Sequence, residues 1–132
     1  DHLEAHAMAE ETYFYPTLLK LGKGALDSDS ADETTEDAID DHNKIANAAD
    51  AALNEKVGSD AWWECVDKAN YQNSAHLSEE ERQGLTDFRR RVPLEKRIAL
   101  GIKYLAFEAD HVTNVEREEK DPDAYIKENE AA

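Results

Sequence analysis

Between Trp62 and Glu80 the chain sets Trp62, Val66, Ala69, Asn73, His76 and Glu80 at alternating steps of four and three residues. That is one face of a helix, and the spacing predicts a helix over about 60–91. Its inward stripe ends in an imidazole and a carboxylate, not in hydrocarbon. The same His-x-x-x-Glu spacing occurs at His6 and Glu10, each time putting the two groups one helical turn, about 6 Å, apart. A buried carboxylate without a partner costs several kcal/mol, so a fold that hides these groups must pair them or bind a cation.

The remaining helices follow from similar signals. Leu3, His6, Glu10, Tyr13/Phe14, Thr17/Leu18 and Leu21 predict a helix over 2–21, with a kink or break at Pro16 and a stop at Gly22 and Gly24. Ser30 or Asp32 is a good N-cap, with Glu33 in capping-box position to Ser30, for a helix over about 33–57 whose seam holds Ala38, His42, Ile45, Ala49 and Ala52. Gly58 stops it, Ser59 caps the next, and Gly84 weakens the later part of that third helix. Pro93 opens a fourth helix with Leu94, Ile98, Gly101/Ile102, Leu105, Ala109 and Val112 as its expected core face, ended by Asp121-Pro122. Short turns and one longer link predict an all-α, antiparallel up-and-down four-helix bundle over 1–120, with 121–132 a polar tail and at most a short exposed helix.

Across the turn at Gly58, the stretches from His42 to Val57 and from Asp60 to His76 are nearly equal, about 22–24 Å at about 1.5 Å per residue. The two histidines therefore face each other at one level. Three histidines on inward seams, two with a glutamate four residues on, point to a pair of metal ions bridged by carboxylates between helices. Glu11 and Glu81 are rotated off the seam and are expected at the surface or behind the ligands. The plain alternative is a structural bundle with hydrogen-bonded core histidines.

Thirty-one acidic residues against 15 basic ones give a net charge of −16, which disfavours nucleic acid and anionic membranes as partners. One cysteine, Cys65, forms no internal disulfide and carries no catalytic expectation; a reducing, cytoplasmic setting is expected. Asp1 is not a start methionine, so a processed or trimmed chain is expected.

The chain resembles the hemerythrin-like HHE cation-binding family over residues 2 to about 105. The likeness rests on His6-x-x-x-Glu10-Glu11 followed by Phe14-Tyr15-Pro16, on Ala38-Ile39-Asp40-Asp41-His42, on His76-x-x-x-Glu80-Glu81, and on the helix around Leu100-Gly101. It implies a four-helix bundle holding two non-haem irons, with Glu10 and Glu80 bridging and His6, His42 and His76 terminal. It also implies dioxygen or peroxide as the small ligand, whether bound reversibly, sensed or turned over.

The family pattern has an earlier helix with its own histidine, and nothing here precedes Asp1. Either that metal position is open, or the fourth helix takes its place, since Glu108-Ala109-Asp110-His111 echoes the missing signature. Glu108 and His111 are thus further candidate ligands, and His2, one turn before His6, is a weaker one. Tyr13, Tyr15 and Tyr104 could hydrogen-bond a bound oxygen species or serve as core. One of Trp62 and Trp63 is expected inside. An incomplete bundle would leave an apolar seam that a second copy could cover, which makes a homodimer an expectation to test.

Overall fold

The computed structural model describes residues 2–25, 29–113, 115–116 and 118–131. All secondary structure among them is helical, with no strand, and no helix is long and apolar enough to cross a membrane. The N-terminal rod is α1 (His2–Ala9), a π-helical turn (Glu10–Phe14) and α2 (Tyr15–Leu21). Then come α3 (Ala31–Leu53), α4 (Asp60–Arg82), α5 (Gly84–Arg91), α6 (Leu94–His111) and α7 (Pro122–Ala131).

Pro16 does not break the rod. It has no N–H for an α-helical bond, and the chain widens just before it, the Tyr15 N–H reaching the Glu10 carbonyl. The wide turn also changes which residues face in. Each residue advances by less than the about 100° of an α-helix, so Glu10 and Glu11 both point inward, their side chains 5% and 8% exposed.

The helix starts lie where the caps predict. Ser30 and Glu33 form the reciprocal box at α3, and the Ser59 hydroxyl accepts from the Trp62 N–H. At the end of α2 the buried Asp87 carboxylate accepts from the Lys23 N–H at 2.9 Å and the Gly24 N–H at 2.7 Å. Gly24 turns there at φ +81°, and a Cβ on Gly22 would stand 2.6 Å from that carboxylate. Asp87 is carried by α5, because the expected helix over 60–91 breaks at Gln83, just ahead of Gly84. Gly84 lets the Phe14 ring come close.

The core lies at one end, where Phe14, Tyr15, Leu18, Ala38, Ile39, Phe88 and Tyr125 meet. α3 and α4 run side by side along their length, and their far tip leaves Leu53, Val57 and Trp63 exposed. Trp62, half-buried, packs edge-on against Trp63.

Two expectations for the C-terminal third are corrected. The fourth helix stops at His111, and 122–131 is a docked helix, not a tail: Tyr125 is buried in the core, and α7 lies on α2 and α3. Asp121-Pro122 is therefore a start signal, with the Asp121 carboxylate accepting from the Ala124 N–H at 2.8 Å. The predicted face of α6 is also wrong. Leu94, Ile98, Ile102 and Leu105 are 60%, 56%, 65% and 66% exposed. α6 instead lays Leu100, Tyr104, Phe107 and Glu108 toward the N-terminal rod, where Phe107 meets the Tyr13 ring. Leu3, expected inside, is likewise exposed.

Candidate metal centre

Next to the aromatic core, three elements each contribute one side chain to a common point: Glu10 from the π turn, His42 from the middle of α3 and His76 from α4. One ligand atom from each lies within 4.8 Å of the others, all three residues are buried, and together they could hold a metal ion. The two Nε2 atoms are 3.2 Å apart. Glu10 Oε2 stands 3.1 Å from His42 Nε2 and 3.9 Å from His76 Nε2, yet it makes no hydrogen bond of proper geometry. A buried carboxylate oxygen left in that condition, facing two ring nitrogens, fits a cation better than it fits protons alone.

The outer nitrogens of both rings face carboxylates. His42 Nδ1 is 2.8 Å from Glu11 Oε1, and His76 Nδ1 is 3.8 Å from Asp41 Oδ2. This is the usual way a protein aims a metal-binding imidazole. With its Nδ1–H donated to Glu11, a neutral His42 ring keeps its Nε2 lone pair for a cation. Glu11 is itself paired with the Lys120 ammonium, and the Tyr125 hydroxyl donates to its carbonyl.

A second group adjoins the first through the other oxygen of Glu10. Oε1 lies 2.8 Å from His6 Nε2, while His6 Nδ1 lies 2.7 Å from Glu108 Oε1. The Tyr104 hydroxyl, carried by α6, is 2.7 Å from His6 Nδ1. Glu80 is buried one turn beyond His76 and accepts from the Tyr15 hydroxyl at 3.0 Å, outside the three-residue group. His111 goes elsewhere: its Nδ1 bonds the Phe107 carbonyl at 2.8 Å and its ring stacks on Phe107. His2 is exposed, on the rim of a cavity of about 350 Å³ that opens onto Glu10, His42 and His76.

The hydrogen bond that His6 donates to Glu10, with Glu108 beside it, raises the His6 pKa to about 9 against partial burial. Burial opposes charge on His42, but Glu10 and Glu11 outweigh it and hold that ring up to about 9 as well. Burial likewise pushes Glu10 upward, and three imidazoles pull it well below the usual carboxylate range. Glu80 is raised, by burial and then by the charge on Glu10. Burial and the same two carboxylates push the Tyr15 phenol up.

Sequence reasoning located His6, Glu10, His42, His76, Glu80 and Glu108 in this region but missed Lys120 and Asp41. Asp41 had a signal, since it adjoins His42 one helix over from His76. Lys120 had none beyond the helix start that follows it. Compared with protein-family models, curated proteins and solved structures, the chain matches none. Fold and site together define an all-helical protein with a buried carboxylate–imidazole group suited to a metal ion.

Proposed function

We propose that this chain is a non-haem diiron protein of hemerythrin-like build that binds or processes dioxygen or peroxide. The observation that carries this reading is the division of Glu10, one oxygen toward His6 and the other toward His42 and His76. A carboxylate so shared is what two neighbouring cations need from a bridging ligand. His42 and His76 would hold one iron; His6, with Glu108 beside it, would hold the other, and Glu80 is the second shared carboxylate that the family likeness implies. The N-terminal rod, α3, α4 and α6 would be the four helices of the bundle, with α6 along α1 in the missing helix's place.

An iron pair supplies the electrons that dioxygen and peroxide chemistry requires. The chain supplies the surroundings. Leu3, Ala7, Met8, Ile45, Ala46 and Ala49 are among the residues lining the cavity that leads to the site, an apolar approach that suits a small uncharged ligand. Tyr104 and Tyr15, whose phenols stay protonated, place hydroxyls beside Glu10 and Glu80. A reducing cytoplasm accords with the lone Cys65.

The test is elemental analysis and absorption of the purified chain. Close to two irons per chain, with the near-ultraviolet charge-transfer band of a bridged ferric pair, is expected. A metal-free or zinc-only protein of equal stability would sink the proposal. The uncovered face of α6 favours one other reading, a module that responds to iron or oxygen through protein contacts. Unfolding on chelation with negligible peroxide turnover would select it.

A further inference from the structure

The side chains behind His42 form a continuous clamp that ends in the C-terminal helix. Glu11 gives one oxygen to His42 Nδ1 at 2.8 Å and the other to the Lys120 ammonium. Lys120 is itself fixed from α3, where Asn43, the residue after His42, donates to its carbonyl at 2.7 Å and accepts from its N–H at 3.3 Å. Five residues on, the Tyr125 hydroxyl donates to the Glu11 carbonyl, so α7 grips Glu11 by its backbone as well. Asp121 caps α7, and Tyr125 buries its ring in the core, which makes the clamp part of a folded element.

We propose that Lys120 and α7 are positioning elements of the metal centre: Lys120 holds Glu11, Glu11 sets the His42 ring, and docking of α7 governs how tightly the centre keeps a cation. The inference rests on the metal-binding reading of Glu10, His42 and His76. Its physical basis is the placement of Glu11. The carboxylate is almost fully buried and has two partners, His42 and Lys120. Without the ammonium, the Glu11 carboxylate loses one of its two partners and is free to turn toward water and release the ring. That movement alters how His42 Nε2 is presented to Glu10 and His76. Because coupling between two events is reciprocal, a bound cation must in turn tighten the docking of α7.

Lys120→Met keeps the length and removes the charge, Lys120→Arg restores a charge, and Lys127→Met alters an exposed lysine of α7 as a control. Three quantities are measured on the full chain: nitrogen NMR signals of the His42 ring without metal, affinity for Zn(II) and Fe(II) by competition, and amide exchange over 122–131 with and without Zn(II). Lys120→Met is expected to shift the His42 signals and weaken both metals by at least about tenfold, with helical content retained. Lys120→Arg should recover most of the loss, and Lys127→Met should change nothing. Zinc should slow exchange in α7 of the unmodified chain.

Unchanged ring signals and affinities within about twofold in Lys120→Met, or α7 exchange indifferent to zinc, would overturn the proposal. Should Lys120→Met fail to fold, Tyr125→Phe removes only the hydroxyl on the Glu11 carbonyl and is read in the same way, with a smaller expected loss. An unmodified chain that takes up no metal would defeat the diiron reading, and the metal-free ring signals would still rule on the clamp.

Discussion

α4 and α6 are opposites. The only buried residues of α4 are His76 and Glu80, whereas α6 buries none and turns Leu94, Ile98, Ile102 and Leu105 outward. Burial here follows which neighbours a face meets, not how polar it is. α4 meets α3 and the N-terminal rod, which supply Tyr15, Asp41, His42 and Glu10 as partners, so charge can go inside. α6 meets the rod with its tyrosine, phenylalanine and glutamate face, and its hydrocarbon has no cover. A chain that places charge inside and hydrocarbon outside has given up stability, and such departures gather at functional sites.

Removing a member of the buried network should therefore cost far more than altering α6. His42→Ala would leave Glu10 and Glu11 without their shared partner, and breaking a buried pair in this way costs about 3–5 kcal/mol. We expect a loss of that order in urea unfolding of the metal-free chain, and metal content near zero after loading. A loss of only about 1 kcal/mol with metal uptake intact would mean that the histidines are ordinary core groups. In that case the contrast with α6 disappears.

The same network makes a pH prediction that α6 does not. His6 and His42 have folded pKa values near 9, above an unfolded value of about 6.5. Both states are protonated below 6.5, so their stabilisation is complete there. It is lost as pH rises through 9, because only the folded state must then give up a bound proton. His42 should dominate, since the His6 side chain is 37% exposed. Glu10 works in reverse, its contribution failing as pH falls below the ordinary carboxylate range. Urea midpoints of the metal-free chain should decline from pH 6.5 to 9 while metal affinity climbs, since a cation must displace those protons. Parallel trends would rule out competition between proton and metal at one site.

Asp87 sharpens the comparison from another side. It is as buried as Glu10, but its carboxylate is satisfied by the backbone N–H groups of Lys23 and Gly24. Asp87→Ala should cost about 1–3 kcal/mol through the freed N–H groups and leave metal binding unchanged. A drop in metal content at unchanged fold would make α5 part of the centre.

What could be read in advance was whatever depends on local chemistry. The Ser30–Glu33 box and the Ser59 cap each act over a few residues, and both stand; the stop expected at Gly58 comes earlier, since α3 already ends at Leu53. His42 and His76 do face each other as expected, although α3 ends at Leu53 and its arm is shorter than the arm of α4 that carries His76. The π turn was not legible, because Pro16 demands only that a hydrogen bond be lost and the chain could have kinked instead. The spacing therefore leaves Glu11 either at the surface or behind the ligands, and behind His42 is where it lies. Asp121-Pro122 carried a start signal that reads equally well as a stop. His111 was placed by echo with a family pattern, and its own helix claims it through the Phe107 carbonyl.

The phase of α6 was missed for a reason that also gives the smallest predicted effect. Two adjacent stripes of that helix are plausible inner faces, and hydrophobicity selected the one that the fold leaves out. Over Leu94–His111 the basic Lys96, Arg97 and Lys103 balance the acidic Glu95, Glu108 and Asp110, in a chain of net charge −16. A second copy could approach this helix without the repulsion it would meet elsewhere, and Gly101 leaves open space at the centre of the stripe. Ile98→Ser with Ile102→Ser should change the stability of an isolated chain by no more than about 0.5 kcal/mol per site, since neither side chain is buried. In sedimentation, the unmodified chain is expected as a dimer that these substitutions dissolve. If the unmodified chain sediments as a monomer and the double substitution costs several kcal/mol, α6 is covered from within the chain, and its contrast with α4 is void.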